Sequence, residues 1–524
     1  MILSRLKHHS DTVAGLTSLA AMVLISVAAF YGLIGFSGQG ADWQLLSDNY
    51  YQSILLFSIK QAALSMLLAL LLAWPVARAL YYGRLPFQHS FLSLCILCFV
   101  MPTLVLITGL VALLGRDGLL TPLLGESWNL YGLNGILIAH IYLNLPFAVR
   151  VLLQALHNIP DLSWKLAVQL KFSPWQRLRL IELPALRGAF LQLSGFIFVL
   201  CFNSFAVVLA LGGGPRATTL EVAIYQALKY DFNIPEALTL AWSQLLIAGA
   251  LFLLIARAGR SNWLAVDTLS HQFTPQPGLF SQWGHRAVYL LSWLGMLLPM
   301  LALIPGLYQS DLSRFSLSAL VQPTLTSLVL ALVSASTAIT LAWLMLIPIR
   351  QARLQQHNRR AMVLEWLSTH SLVAPAMVIS VGLYILLLPH FDLDHHGIWL
   401  VLLLNCALVV PYAVQQLRPR LLQYDAQYQH LSQNLKLSRR QRWWVEWPFI
   451  KPTFISTFAL ILLLALGDVA IISIFGSDDW TTLPLLIYSY AGSYRIAEAS
   501  LASLLLLLIC ALIVWAFERA RHHA

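Results

Sequence analysis

Residues 161–187 read DLSWKLAVQLKFSPWQRLRLIELPALR, and residues 425–448 read DAQYQHLSQNLKLSRRQRWWVEWP. The two stretches share one plan. Asp161 and Asp425 open them as the expected N-caps of short helices. Leu162, Leu166 and Leu170 in the first, and Tyr428, Leu431 and Leu435 in the second, recur near helical spacing and put one apolar stripe on each helix. Ser173-Pro174 and Ser438 break the helices. Gln176-Arg177 and Gln441-Arg442 follow, and Glu182-x-Pro184 and Glu446-x-Pro448 close the stretches. A single such helix would suit a lipid surface, with its arginines toward anionic headgroups. Two copies at matched positions predict docking instead, because an apolar stripe with a basic flank fits a groove on a partner protein.

Outward from these stretches, the whole chain repeats. Ala62, Ser65 and Leu72-Ala73-Trp74 recur as Ala331, Ser334 and Leu341-Ala342-Trp343. Pro102, Val105 and Gly109 recur as Pro375, Val378 and Gly382, and Pro146-Phe147-Ala148-Val149 as Pro411-Tyr412-Ala413-Val414. Thr219-Leu220 and Tyr225 match Thr482-Leu483 and Tyr488. The offset stays between 262 and 273, so two collinear, parallel halves are expected. We place the first at 1–257 with its loop at 157–187, a polar cytoplasmic linker at 258–286, and the second half at 287–524 with its loop at 418–451.

The chain has 524 residues, 59% of them hydrophobic and only 10% charged, with a mean hydropathy of +0.74. So little charge cannot cover a soluble surface, whereas a bilayer removes that need. A spanning helix takes about 20 apolar residues. Windows of that kind fall near 13–36, 54–77, 91–114, 133–156, 188–211, 238–257, 287–308, 324–347, 370–389, 397–417, 453–475 and 499–517. An all-α integral membrane protein of about twelve spans follows, six in each half. The first window is too long for a signal core and lacks a cleavage motif, so an uncleaved span is expected. Placing the N-terminus in the cytoplasm puts 25 Lys/Arg inside and 5 outside, which fixes both termini there. The net charge of +10 thus orients the protein, and nucleic acid is excluded as its explanation. All five cysteines fall in apolar windows as small buried residues. His395-His396 near Asp392 and Asp394 reads as a solvated loop, since no distant ligand completes a metal site.

The loops resemble the coupling loops of binding-protein-dependent ABC importer permeases, whose pattern is Glu-Ala-Ala, a later Gly and a distal Leu-Pro. Matched from Leu183-Pro184, Lys165-Leu166-Ala167 stands on the Glu-Ala-Ala and Lys171 on the Gly; in the second loop Lys436 stands on the Gly. Residues 200–206 (LCFNSFA), 211–219 (LGGGPRATT), 221–228 (EVAIYQAL) and 445–448 (VEWP) resemble the fused permeases of bacterial thiamine importers. Fused ferric-iron permeases share the architecture and are the alternative, as is a secondary transporter of twelve spans. The resemblance implies an inner-membrane permease for thiamine and thiamine phosphates. It also implies two copies of an ATPase on the two loops and a periplasmic binding protein that delivers the small-molecule substrate.

No Gly-x4-Gly-Lys-Ser/Thr pattern occurs, so ATP and its hydrolysis are expected on a separate subunit, with no cofactor and no catalytic residue in this chain. Asp468 is the only acidic residue placed deep in a window, and its repeat partner is Asn203. An ionisable group there is costly and marks a candidate translocation path. The bland alternative is an interhelical hydrogen bond or a pairing with Lys60 or Arg150. Residues 216–237 and 477–498 form the larger external segments, candidates for a gate or a binding-protein dock.

Overall fold

A computed structural model describes residues 2–37, 41–83, 85–125, 127–214, 217–258, 278–306, 318–372, 376–387, 389–391, 393–435, 437–475, 480–493 and 495–522. The linker residues 259–277, Pro375, Asp392 and Lys436 therefore lie outside the described residues, as do the side chains of Asp394, His395 and His396. Strands are absent among the described residues. The first half is built from α1 (Ile2–Ser37), α2 (Asn49–Tyr82), α3 (Gln88–Val100), α4 (Thr103–Leu114), α5 (Leu133–His157), α6 (Asp161–Gln169), α7 (Leu183–Phe202), α8 (Leu220–Lys229) and α9 (Ile234–Ala258). The second half repeats them as α10 (Leu279–Leu301), α11 (Ser318–Leu354), α12 (Asn358–Thr369), α13 (Ala376–Leu387), α14 (Leu393–Asn434), α15 (Arg439–Leu466), α16 (Leu483–Gly492) and α17 (Ile496–His522).

Among the described residues nine helices are long and apolar enough to cross a membrane, ten if the bent pair α3–α4 counts as one span. This is fewer than the twelve windows, for local reasons. The window at 91–114 bends by 102° at its break. Met101 turns extended and Pro102 follows, a residue whose ring disfavours helix at the position before it. The repeat window at 370–389 yields only the 12-residue α13. In α10, His285 and Arg286 dilute the apolar content, and the helix falls below the spanning mark.

The halves are interlocked by exchange of their first helices. α1 packs on α11 and α13 of the second half, while α10 packs on α2 and α4 of the first. The repeated glycines sit at these crossings: a Cβ on Gly109 would run into the carbonyl of Pro299 on α10, and one on Gly382 into that of Ala29 on α1. Membrane helices gain no hydrophobic drive from lipid, so close backbone approach at small residues supplies the packing. A second repeated device pins the short helices α8 and α16. The Leu220 amide donates to Ser58 Oγ at 3.0 Å, and the Leu483 amide to Ser327 Oγ at 2.8 Å, each tying the start of α8 or α16 to the second helix of its own half. α8 then reaches α13 and α16 reaches α4, again across the seam.

Candidate functional site

The loop at 157–187 begins where Pro160 stops α5 and caps α6; Asp161 is the first helical residue rather than the cap. Trp164 and Ala167 turn inward and are buried, with the Trp164 ring against Tyr81 and Tyr82. Leu162, Leu166 and Leu170 all point outward and are exposed, an apolar stripe that no described residue covers. The helix ends in a left-handed turn: the Phe172 amide donates to Ala167 O at 2.9 Å and the Lys171 amide to Val168 O at 3.1 Å. Lys171 has φ +52°, in the region that glycine occupies without a Cβ penalty. The backbone here keeps a glycine's conformation although a lysine supplies it.

Ser173 does more than interrupt the helix. Its hydroxyl accepts from the Gln176 amide at 3.3 Å while its own amide donates to Gln176 Oε1 at 2.8 Å, a capping box that starts the next turn. Ser438 and Gln441 build the same box at 3.4 and 2.8 Å. The sequence signal was the Ser-x-x-Gln spacing, shared by both loops. Arg177 is half-buried just beyond the first box, whereas Arg442 is exposed and donates to Leu437 O at 3.1 Å.

In the second half the loop has no separate helix. α14 runs unbroken for 42 residues from the apolar region to Asn434. Asp425 is therefore mid-helix and not an N-cap; it accepts two bonds from Arg350, at 2.8 and 2.6 Å. Leu431 and Leu435 are exposed, with Tyr428 at the margin of exposure and packed on Phe449 and Tyr424. The Leu437 amide donates to Ser432 O at 3.1 Å, the counterpart of the Phe172 bond.

The two Glu-x-Pro carboxylates face into the chain. Glu182 is 1% exposed and accepts from Arg78 Nε at 2.7 Å, Arg78 Nη2 at 3.2 Å and Tyr82 O–H at 2.8 Å. Tyr82 in turn stacks on His285 at the start of α10, with centroids 6.0 Å apart. Glu446 pairs with Arg350 Nη1 at 2.7 Å. Farther out, Glu365 on α12 pairs with Arg353 at 2.8 Å and Arg418 at 3.4 Å. Neither Arg78 nor Arg350 was singled out from sequence, although each stands near the C-terminal end of the second helix of its half.

Asn203 and Asp468 both lie where their helix breaks, just past the ends of α7 and α15. Asn203 Oδ1 accepts from Gln244 Nε2 at 2.9 Å, and Gln244 Nε2 also donates to Glu221 Oε1 at 3.1 Å. Gln61 donates to Cys201 O at 2.8 Å, Asn144 to His140 O at 2.8 Å, and Ser65 Oγ lies 3.1 Å from His140 Nδ1. Glu221, in the segment between spans, is buried, and burial pushes its carboxyl up to about 7 against the opposing Gln244 bond. Asp468 Oδ2 accepts from the Ile471 amide at 3.3 Å and so caps the turn Ile472–Phe475. Arg150 is engaged elsewhere, donating to Leu92 O at 3.0 Å, and Lys60 is exposed. Gly467, beside Asp468, lies against Pro102: a Cβ there would stand 3.1 Å from Pro102 Cα, so the breaks of the two halves meet. Among the described residues no group of three His, Cys, Asp or Glu could hold a metal ion.

Comparison with known proteins gives two kinds of match. The family model described as binding-protein-dependent transport system inner membrane component matches twice, over residues 65–259 and 345–521. The thiamine transport system permease protein ThiP of Escherichia coli (strain K12) is 35% identical over 519 residues, covering 97% of this chain and 96% of that protein. The protein of the same name from Haemophilus influenzae is 33% identical over 509 residues, covering 95% and 94%. The molybdenum transport system permease protein ModB of Azotobacter vinelandii is 28% identical over 182 residues, covering 34% of this chain but 80% of its own length.

Proposed function

Since the chain belongs to the family of inner-membrane components of binding-protein-dependent transport systems, we propose that it is the translocation subunit of an ATP-driven importer of thiamine and its phosphates. The observation that carries the substrate is the match of about one residue in three along nearly the whole chain to proteins named for thiamine transport. The units at 1–257 and 287–524, joined through 258–286, act as the two walls of the pathway. Both termini lie in the cytoplasm.

Each cytoplasmic loop takes one copy of an ATPase, which binds the ATP that this chain lacks a motif for. The stripe Leu162, Leu166 and Leu170 enters a groove of the first copy; Tyr428, Leu431 and Leu435 enter that of the second. Their exposure supports this assignment. Lys171, Lys436, Arg177 and Arg442 form the basic flank, while Glu182 and Glu446 attach the loops to the bundle. A periplasmic binding protein delivers substrate to the external side, where α8 and α16 cross the seam. Asn203 and Asp468 stand at the two helix breaks on the pathway.

The test is uptake by vesicles holding the chain with its ATPase, given binding protein loaded with labelled thiamine. ATP-dependent accumulation is expected. Accumulation of ferric iron instead, or thiamine uptake that survives omission of the ATPase, would overturn this reading.

A further inference from the structure

We propose that Arg78 and Arg350 are positioning residues of the transport cycle. Each clamps the carboxylate at the exit of its half's loop to the second helix of that half, so that loop motion is delivered into the membrane bundle. This rests on the ATPase-docking role given above to the loops.

The same ion pair recurs in both halves although the sequence positions do not; Arg78 sets its Nε–Nη2 fork on the loop glutamate, whereas Arg350 sets its fork on Asp425 and reaches Glu446 with Nη1. The register of Leu72-Ala73-Trp74 on Leu341-Ala342-Trp343 puts Ile347, not an arginine, at the repeat position of Arg78. Arg350 stands three residues later, about one helical turn on. Both guanidinium groups nevertheless reach the Glu of Glu-x-Pro, at 2.7 Å in each half. An inherited contact would have kept its residue, whereas this one has kept its partner and its end of the helix.

The clamp is separate from the docking stripe. Leu162, Leu166 and Leu170 face outward, while Glu182 faces inward and is buried. α2 and α11 are suited to pass a displacement on, because each packs against the fourth and fifth spans of its half (α5 and α7; α14 and α15). Stability alone does not call for arginine here: a buried ion pair is weak evidence for stability and an apolar pair of similar volume often serves as well. A forked guanidinium on a carboxylate instead fixes direction as well as distance.

The clean test lies in the first half, since Arg350 is shared with Asp425. Arg78→Gln, Arg78→Lys and the charge swap Arg78→Glu with Glu182→Arg would be assembled with the ATPase in vesicles. Three quantities are read: retained ATPase, rate of ATP hydrolysis, and thiamine taken up per ATP. For Arg78→Gln we expect ATPase retention and hydrolysis close to wild type, with uptake per ATP lower by roughly fivefold or more. The swap restores most of that ratio, and Arg78→Lys, which keeps charge but loses the fork, falls between. A structural defect would lower the amount of complex and leave the ratio untouched. The proposal is overturned if the ratio is unchanged, if it falls only in step with ATPase retention, or if the assembled swap fails to recover it. Should the wild-type complex itself couple nothing to thiamine, the functional reading falls and takes this proposal with it.

Discussion

The two halves keep the same scaffold and differ in where their polarity lies. In the first half a chain of buried and half-buried polar groups runs from Ser65 and His140 through Asn144, Gln61 and the Cys201 carbonyl to Asn203, Gln244 and Glu221. At the corresponding positions the second half has Leu330 for Gln61, Val409 for Asn144, Leu466 for Cys201, Pro484 for Glu221 and Leu506 for Gln244. It keeps Ser334, Asn405 and Asp468 for Ser65, His140 and Asn203, and its ion pairs gather at the end of α11, where Arg350, Asp425, Glu446, Arg353, Glu365 and Arg418 tie four helices together. The tie that corresponds to it in the first half joins Arg78 and Glu182. Duplication thus held on to glycine crossings, serine pins and capping boxes, which set backbone paths, and released the side chains that only fill the space between them.

If the glycine crossings are shared scaffold, Gly109→Leu and Gly382→Leu should damage the protein alike, each by about 3 kcal/mol or more, because backbone blocks both. Thermal unfolding in detergent would measure this; tolerance of either one alone would break the symmetry. The polar chain should be vulnerable on one side only. Gln244→Leu leaves Glu221 and Asn203 without that donor and should cost about 2 kcal/mol. The same helix position in the second half is already leucine, and Leu506→Met should cost less than about 1.5 kcal/mol by the same scan. Ser58→Ala and Ser327→Ala should each cost about 1 kcal/mol, equal within error, since each removes one equivalent bond to a helix start. The smallest effect is a gain. Lys171→Gly relieves a left-handed side chain and should stabilise the first loop by about 1 kcal/mol, seen as slower hydrogen exchange at the Phe172 amide.

Much of this was legible in the letters. Period and composition gave the helical membrane class, and the shared offset gave the duplication. The Pro102 and Gly109 repeats were visible as letters, but their meaning was not: Gly109 matters because α10, nearly 200 residues away, crosses there. Windows of hydropathy cannot see a 102° bend, because both arms are apolar and only the turn between them redirects the chain. Asp425 looked like a cap because its repeat partner opens a helix, yet in the second half no proline interrupts the chain at that point. Pro160 makes the difference. The partners of Glu182 and Glu446 stayed hidden since each arginine lies about 100 residues upstream and at a different repeat position. The stripes of Leu162 and Leu431 were readable as stripes, but which face they turned outward was a matter of packing.

On the function proposed above, the doubled chain carries two docks, one on a short separate helix and one on the end of a 42-residue helix. Native mass measurement of the purified complex tests it most directly, with Leu166→Glu and Leu431→Glu made singly and together. Two ATPase copies are expected on the wild-type chain, one on a chain with either loop altered under limiting ATPase, and none on the double variant. Two copies retained by the double variant would contradict it.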